Sequence, residues 1–349
     1  MSTTDILDAP IIEVQRAWKT ECVLSREQQR QARAWFTAVQ FVWNRALMWR
    51  TGAWNVGARH VSRFEQSRAL TELKRHPEYA WLNQTPRATL DKALEHLDLA
   101  FKHFFRRCKQ GETPGYPRLK SDDDDVRSLT FRKSIVVTER AVRLPRLGWI
   151  KLKERGYLPP LRGADANTAT LSFEAGKWFI SVQAEGEVFQ RPAPDRACRI
   201  WFELPDRIVI EPGDGPARTL RSTGHRQIEE RRLTRLARRI SRRQQGSKRR
   251  DKARLRWQIA NARIRWRRAD DLHNLTSRLT SEYRSITVEP RPRLKDEFLN
   301  ALPRLRGDAR EQEKAVHRAL ADAGWGEFLR QLAYKTHWRG GTYTESGAE

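Results

Sequence analysis

Apolar positions recur along the chain with two different periods, and the switches between them divide it. From Ser25 the spacing is helical: Trp35, Val39, Val42 and Ala46, flanked by Phe36, Trp43 and Leu47, form one stripe of a helix running to about Arg50. Ser25-Arg26-Glu27-Gln28 has the form of a capping box, in which Ser25 and Gln28 each satisfy the other's free backbone amide. A polar linker with Asn55 and Gly57 leads to a second helix around Ser62 to Lys74. Thr85-Pro86 predicts the start of a third, with Thr85 as cap and Pro86 at its first position. Its stripe, Leu90, Leu94, Leu97, Phe101, Phe104 and Phe105, is expected in the core of a small helical bundle. Ahead of the bundle, Ile11 to Val23 reads as an edge strand.

Between Gly111 and Gln190 the period shortens to two. Leu129–Phe131, Ile135–Val137, Val142–Leu144, Trp149–Leu152, Thr168–Leu171 and Lys177–Val182 are short β-rich runs, which predicts a small antiparallel barrel. Trp149 and Trp178 fit its core. Arg191-Pro192-Ala193-Pro194 reads as a linker. Cys198–Phe202 and Arg207–Ile210 then predict a β-hairpin. Helical spacing returns at Leu233, Leu236, Ala237 and Ile240, at Leu255, Ile259, Ala262 and Trp266, and at Leu272, Leu275 and Leu279. Gln245-Gly246-Ser247 interrupts this run, with Ser247 placed to cap the next helix. Two or three long helices thus feed a short strand, Ser285–Val288, that ends on Glu289. A last helix is expected around Trp325 to Tyr334, and the Gly-rich polar tail from Arg339 predicts no element.

Charge gives these helices a partner. Between Arg226 and Arg268 stand 18 Lys/Arg and 3 Asp/Glu, so 43 residues carry +15 of the chain's net +25. A solvated helix face mixes signs and this one hardly does, which points to phosphate. Arg outnumbers Lys 53 to 15, and guanidinium forks favour nucleic acid over a membrane surface. Asp122 to Asp125 reads as a solvated loop, because consecutive carboxylates diverge and no other metal ligand stands nearby. The acidic start of the chain has no signal-peptide form, and no apolar run of about 18 residues could span a bilayer, so a cytoplasmic protein is expected. Cys22, Cys108 and Cys198 form no CxxC pair and offer neither a disulfide framework nor a zinc ribbon. At 349 residues and 38% hydrophobic, the chain has room for two or three domains.

With these residues in view the chain resembles TnpB, the RNA-guided nuclease of insertion sequences and presumed ancestor of type V CRISPR effectors. Leu70–Lys74 and Leu94–Phe105 look like its helical recognition domain. Gly115–Lys120, Arg127–Phe131 and Leu144–Leu152 look like its wedge barrel, and Gly246–Arg254, Leu272–Asn274 and Trp325–Phe328 look like its RuvC-type domain. The resemblance implies an α+β multidomain protein: a wedge β-barrel from 1–24 and 111–190, a helical recognition bundle from 25–110 inserted into it, a linker at 191–195, and an RNase H-like, RuvC-like domain from 196–349 with long basic helices. A RuvC nuclease holds two Mg²⁺ ions on three carboxylates. Here Glu289 matches the second, followed by Pro290-Arg291-Pro292; counting back from Asp214-Gly215 puts Glu203 at the first, and the zinc ribbon and third Asp find no counterpart. The domain is therefore expected to be degenerate and truncated, with no metal, no cofactor beyond a guide RNA, and no enzymatic activity.

On this reading the chain is most like the nuclease-dead TnpB-like repressors (TldR), which bind a guide RNA and a matching DNA target flanked by a short motif. Base pairing reads the sequence in such a scheme, while protein grips the heteroduplex, the logic described for Cas9-type effectors. Guide RNA and double-stranded DNA are the expected partners, with no membrane and no small-molecule substrate. Arg231, Arg235, Arg238, Arg239, Arg242 and Arg243, with Lys248, Arg249, Arg250, Lys252, Arg254 and Arg256 after the turn, are expected to line the heteroduplex channel. Gln84, Thr85, Arg87, Thr89 and Lys92, with Arg118 and Lys120, are the candidates for contact with the adjacent motif. Two rival readings stay open: an RNA-guided nuclease with a residual or partner-completed site, and a guide-RNA-binding protein without a DNA target.

Overall fold

The computed structural model describes residues 11–58, 60–121, 126–156, 166–189, 193–203, 207–221, 225–289, 317 and 320–346. Two compact units divide the chain, Gln15–Gly186 and the remainder. Asp122–Asp125, Arg191, Pro192, Pro205 and Asp206 lie outside the described residues.

In the first unit the capping box predicted at Ser25 opens α1 (Arg26–Asn55), with the Ser25 side chain accepting from the Gln28 amide and Gln28 Oε1 accepting from the Ser25 amide. Gln28 Nε2 also donates to the carbonyls of Leu147 and Trp149, both at 2.9 Å, so the same residue ties the helix to a β-turn. A second capping box, Ser62 with Glu65, opens α2 (Arg63–Leu73). The third helix departs from expectation. Pro77–Gln84 forms a 3₁₀ helix, and the Thr85 amide closes it by donating to the Leu82 carbonyl at 3.2 Å. Thr85 therefore ends that turn, and α3 (Arg87–Lys109) starts from Pro86 with no side-chain cap.

Seven strands accompany the helices: β1 (Ile11–Val23), β2 (Val126–Arg132), β3 (Val136–Val137), β4 (Ala141–Leu144), β5 (Gly148–Leu152), β6 (Ala166–Glu174) and β7 (Lys177–Phe189). They form one sheet in the order β2-β6-β7-β1-β5-β4-β3. Its two end strands are consecutive in sequence, joined by residues 133–135 with Lys133 and Ser134 at positive φ. Six interstrand spacings of about 4.8 Å would set the ends of a flat sheet roughly 29 Å apart. Four residue steps span at most about 14 Å, so the sheet must curl back on itself. Its inner face shares one core with the helices: Trp35 meets Phe131, Phe36 stacks on Trp178 at 5.7 Å, and Leu90, Leu94 and Leu97 join Leu129, Ile150, Leu171 and Ile180. Trp178 is thus core, whereas Trp149 is half exposed. Phe105 also departs from its predicted place in the core, because α3 outruns the surface it packs on and leaves that ring 47% exposed.

The second unit centres on a mixed sheet of β8 (Ala197–Glu203), β9 (Arg207–Pro212), β10 (Arg218–Arg221), β11 (Ser285–Val288) and β12 (Thr342–Glu345), ordered β10-β9-β8-β11-β12. The first three strands form an antiparallel meander, while β11 runs parallel to both β8 and β12. The tail predicted to lack structure holds β12: the strand-favouring Thr342, Tyr343 and Thr344 are masked by their Gly-rich polar surroundings, and they gain order by pairing with β11. Among the described residues α4 (His225–Ser241), α5 (Lys248–Glu282) and α6 (Trp325–Trp338) complete the unit. Phe202, Ile208, Leu272, Leu279, Ile286, Val288, Trp325 and Phe328 form its core. Cys198 lies in that core, where burial, and then Glu282, pushes its thiol up to about 12; burial does the same to Cys22 in the first unit, with Glu21 adding to it. Among the described residues no helix is long and apolar enough to cross a membrane.

Candidate nucleic-acid interface

Gly246, at φ +79°, turns the chain between α4 and α5, and Ser247 caps α5 by accepting from the Arg250 amide at 3.2 Å. The two helices close on a small core of Leu233, Ala260 and Ile264, with Leu236 and Trp257 against it. His225 Nε2 lies 2.7 Å from Asp271 Oδ2 and ties the start of α4 to α5. The seam on α5 is thus Ala253, Trp257, Ala260 and Ile264; of the predicted Leu255, Ile259, Ala262 and Trp266, Ala262 alone is buried. Leu255 is instead 38% exposed. Small alanines let α4 approach closely, which outweighs the size of Leu255.

A narrow seam leaves most of each helix to solvent, and there the arginines stand. Arg231, Arg235, Arg238 and Arg242 are all exposed, and their spacing puts them on one face of α4, turned away from Leu233, Leu236 and Ile240. Their guanidinium groups make no hydrogen bond or ion pair among the described residues. Arg239 is also exposed, and Arg243, half-buried, donates to the Arg249 carbonyl across the turn. On α5, Lys248, Arg249, Lys252 and Arg256 are exposed, and Arg250 and Arg254 half-buried. The basic face continues past the predicted set: Arg263 and Arg267, exposed, lie on the same side as Arg249, Lys252 and Arg256, a stripe of about 27 Å. The same helical spacing, carried about three turns further, would have found them.

The residues expected to read an adjacent motif divide sharply. Thr85 and Thr89 are each 2% exposed and cannot reach a base from these positions. Arg87 is occupied by Asp91, by the Thr71 hydroxyl and by the Ser67 carbonyl and hydroxyl at 2.8–2.9 Å, so it clamps α3 to α2. Lys92 pairs with Glu95 at 2.6 Å; burial would raise that carboxyl, but Lys92, Arg132 and Arg63 hold it below its ordinary value. Lys120 Nζ lies 4.2 Å from the Trp43 ring centroid, and its amide and carbonyl are held by Asn44. The side chains of Gln84 and Arg118 are exposed, while their carbonyls accept from Trp35 and Trp43.

Glu289 lies just beyond β11. Val288 pairs with Ile200 and the Glu289 amide donates to the Ile200 carbonyl at 2.9 Å, so Trp201 stands beside Glu289. Counting back from Asp214 singles out Glu203; the register singles out Trp201 instead, because strand pairing and not loop length sets which residues meet. Arg199, Trp201 and Glu203 alternate with the buried Cys198, Ile200 and Phe202 and so share the other face. Arg199 lies 2.6 Å from Glu289 Oε1, and Trp201 Nε1 donates to Glu203 Oε1 at 3.3 Å. Two carboxylates, one neutralised by a guanidinium and one bonded by an indole, do not fit a centre for two Mg²⁺ ions. Among the described residues no group of three or more His, Cys, Asp or Glu is disposed to hold a metal. No hydrolytic step is assigned to these side chains.

A mixed sheet carrying a helical hairpin with stripes of exposed arginines, four of them without a partner among the described residues, has the charge pattern suited to a polyanion. No family model matches the chain. It is 31% identical over 329 residues to a Streptomyces pristinaespiralis protein named as an RNA-guided DNA endonuclease, an alignment covering 94% of this chain and 76% of that one. It is 26% identical over 338 residues to InsQ of Escherichia coli strain K12, which bears the same name, covering 93% and 79%. A solved structure of a Cas12f1–sgRNA–target DNA complex superposes at a TM-score of 0.43 with 9% identity, over 95% of this chain and 89% of that one. The chain belongs to the family of these RNA-guided DNA endonucleases. This corrects the expectation that it is not an enzyme: relatives aligned along nine-tenths of the chain are named as nucleases. The expectation rested on counting motif carboxylates along the sequence, whereas metal ligands are assembled in space from any segment that reaches them.

Proposed function

We propose that the protein binds a guide RNA and, through it, a matching DNA duplex flanked by a short motif, and that occupancy of a promoter by this complex represses transcription. The observation that carries this reading is the α4–α5 hairpin, on which the guanidinium groups of Arg231, Arg235, Arg238 and Arg242 stand exposed with no partner among the described residues. The order β10-β9-β8-β11-β12, an antiparallel meander joined to parallel strands, is compatible with an RNase H-like, RuvC-type domain and supports the same reading. The curled seven-stranded sheet and α1–α3 would serve as wedge and recognition parts. Gln84 and Arg118 are the best placed of the motif-reading candidates.

The names of the relatives favour a second reading, RNA-guided cutting of the bound DNA. One experiment addresses both. The protein is expressed with its flanking genomic sequence, its bound RNA is sequenced, and occupied chromosomal sites are mapped. A discrete RNA whose end matches an occupied promoter supports the proposal, and an absence of chromosomal peaks sinks it. Incubating the complex with matched DNA and Mg²⁺ reads out cutting, which the second reading requires to be lost in Glu289→Ala.

A further inference from the structure

The C-terminal end of α3 and the loop after it carry an aromatic surface that the bundle does not use. Phe105 and Tyr116 are each 47% exposed and Leu119 is 58% exposed. These rings are held in place from behind. Phe104 meets Phe105 at 5.2 Å and Tyr116 at 5.3 Å, both edge to face, and the buried Phe101 meets Tyr116 at 5.6 Å. The Tyr116 hydroxyl lies 2.9 Å from Thr51 Oγ1, and Arg50 backs the Phe101 ring at 5.3 Å. Around them, residues 102–120 contain six Lys/Arg and one carboxylate. Arg106, Lys109 and Arg118 are exposed, with no side-chain partner among the described residues.

Cations in the last turn of a helix complement its dipole, but that accounts for neither the exposed rings nor Arg118, which lies beyond the helix. A docked apolar protein surface would account for the rings but not for the concentration of unpaired positive charge. We propose that this surface is a stacking platform for unpaired nucleotides: base faces lie on Phe105 and Tyr116 while phosphates meet Arg106, Lys109 and Arg118. Paired bases are already stacked within a duplex, so the ligand class is single-stranded nucleic acid. The inference rests on the reading of the chain as a nucleic-acid-binding protein and adds a site to it.

The test is fluorescence anisotropy with a 12-nucleotide single-stranded RNA, the same sequence in DNA, and a 12-base-pair RNA duplex, each titrated with full-length protein over a range of salt. Phe105→Ala with Tyr116→Ala, at about 1–3 kcal/mol per stacked base, is expected to weaken single-strand binding at least about 30-fold, leave the salt slope unchanged and spare the duplex. Arg106→Gln with Lys109→Gln is expected to lower the single-strand slope by about 1.4. Phe105→Trp, which keeps a ring, should restore affinity beside Tyr116, and this separates stacking from a folding defect. Weaker binding to either RNA or DNA single strands supports the platform, and the two arms show which strand it holds. Unchanged single-strand affinity in the double alanine variant overturns it, as does an equal loss on duplex. So does a self-association seen by sedimentation that the same variant abolishes. These results stand apart from target mapping: a chain with no chromosomal sites can still show the stacking signature, and one with sites can lack it.

Discussion

Replacing Arg231, Arg235, Arg238 and Arg242 together by Gln removes four charges and no contact, since all four are exposed and their guanidinium groups have no partner among the described residues. Stability should hold to within about 0.5 kcal/mol, as is usual for surface positions without special features. The stripe runs for about 16 Å along α4, close to five nucleotide steps of about 3.4 Å on one strand. Four guanidinium groups over that length can meet four phosphates. Each contact adds about 0.9 to the salt slope, so the variant's slope should be shallower by roughly 3.6. Between 50 and 200 mM salt the wild-type complex should then lose about 150-fold more affinity than the variant. Filter binding of the ribonucleoprotein to matched duplex across that range measures both slopes, with thermal melting as the folding control. Parallel slopes with an intact fold would refute the assignment of α4 to phosphate.

Three further substitutions test the scaffold. Arg50 is buried, bonded to Gln66 Oε1 and Asp98 Oδ1 at 3.1 Å each, and Arg50→Ala should cost about 2–4 kcal/mol in urea unfolding because it leaves Asp98 only the exposed Lys102 as an ion-pair partner. Burial would raise the Asp98 carboxyl, but Arg50 and Lys102 hold it below its ordinary value; its contribution is lost as pH falls through that folded value, so Arg50→Ala should flatten the acid limb of the stability curve. Lys335 sits between α5 and α6, donating to the His273 carbonyl, the Thr276 hydroxyl and the Ser277 hydroxyl at 2.6–2.9 Å. Burial, with Arg339 adding to it against Glu327, pushes its amine down to about 8. The unfolded chain therefore holds the extra proton between about pH 8 and 10.4, so unfolding free energy should climb across that window and Lys335→Met should remove the climb. Gly341 admits no Cβ, which would strike the Arg284 carbonyl and lie 2.9 Å from Thr336 Cγ2. Gly341→Ala should cost about 1–3 kcal/mol by thermal melting and loosen β12, read by amide exchange at Tyr343.

What the sequence made legible was local. The Ser25–Gln28 box and the Ser247 cap depend on three or four neighbouring residues, and both form as their sequence predicts. The basic face of α4 could be read because one helix sets its own periodicity. Failures began where a distant segment decides. Leu255 is larger than Ala253, yet the close approach of α4 selects the smaller residue. Trp201 beside Glu289 follows from a parallel pairing between segments some 80 residues apart, for which counting along a loop is no substitute. Thr342-Tyr343-Thr344 favours a strand, but a run this short is ordered only because β11 offers an edge.

The central claim is that RNA directs this protein to DNA, and one comparison bears on it most directly. The complex purified with its own RNA is split, half is treated with ribonuclease, and both halves are titrated against duplexes that match or mismatch the bound RNA at physiological salt. Tight binding to the matched duplex is expected, with at least about 100-fold weaker binding to the mismatched one and loss of that difference after ribonuclease. Equal affinity for both duplexes, or a preference that survives removal of the RNA, would contradict it.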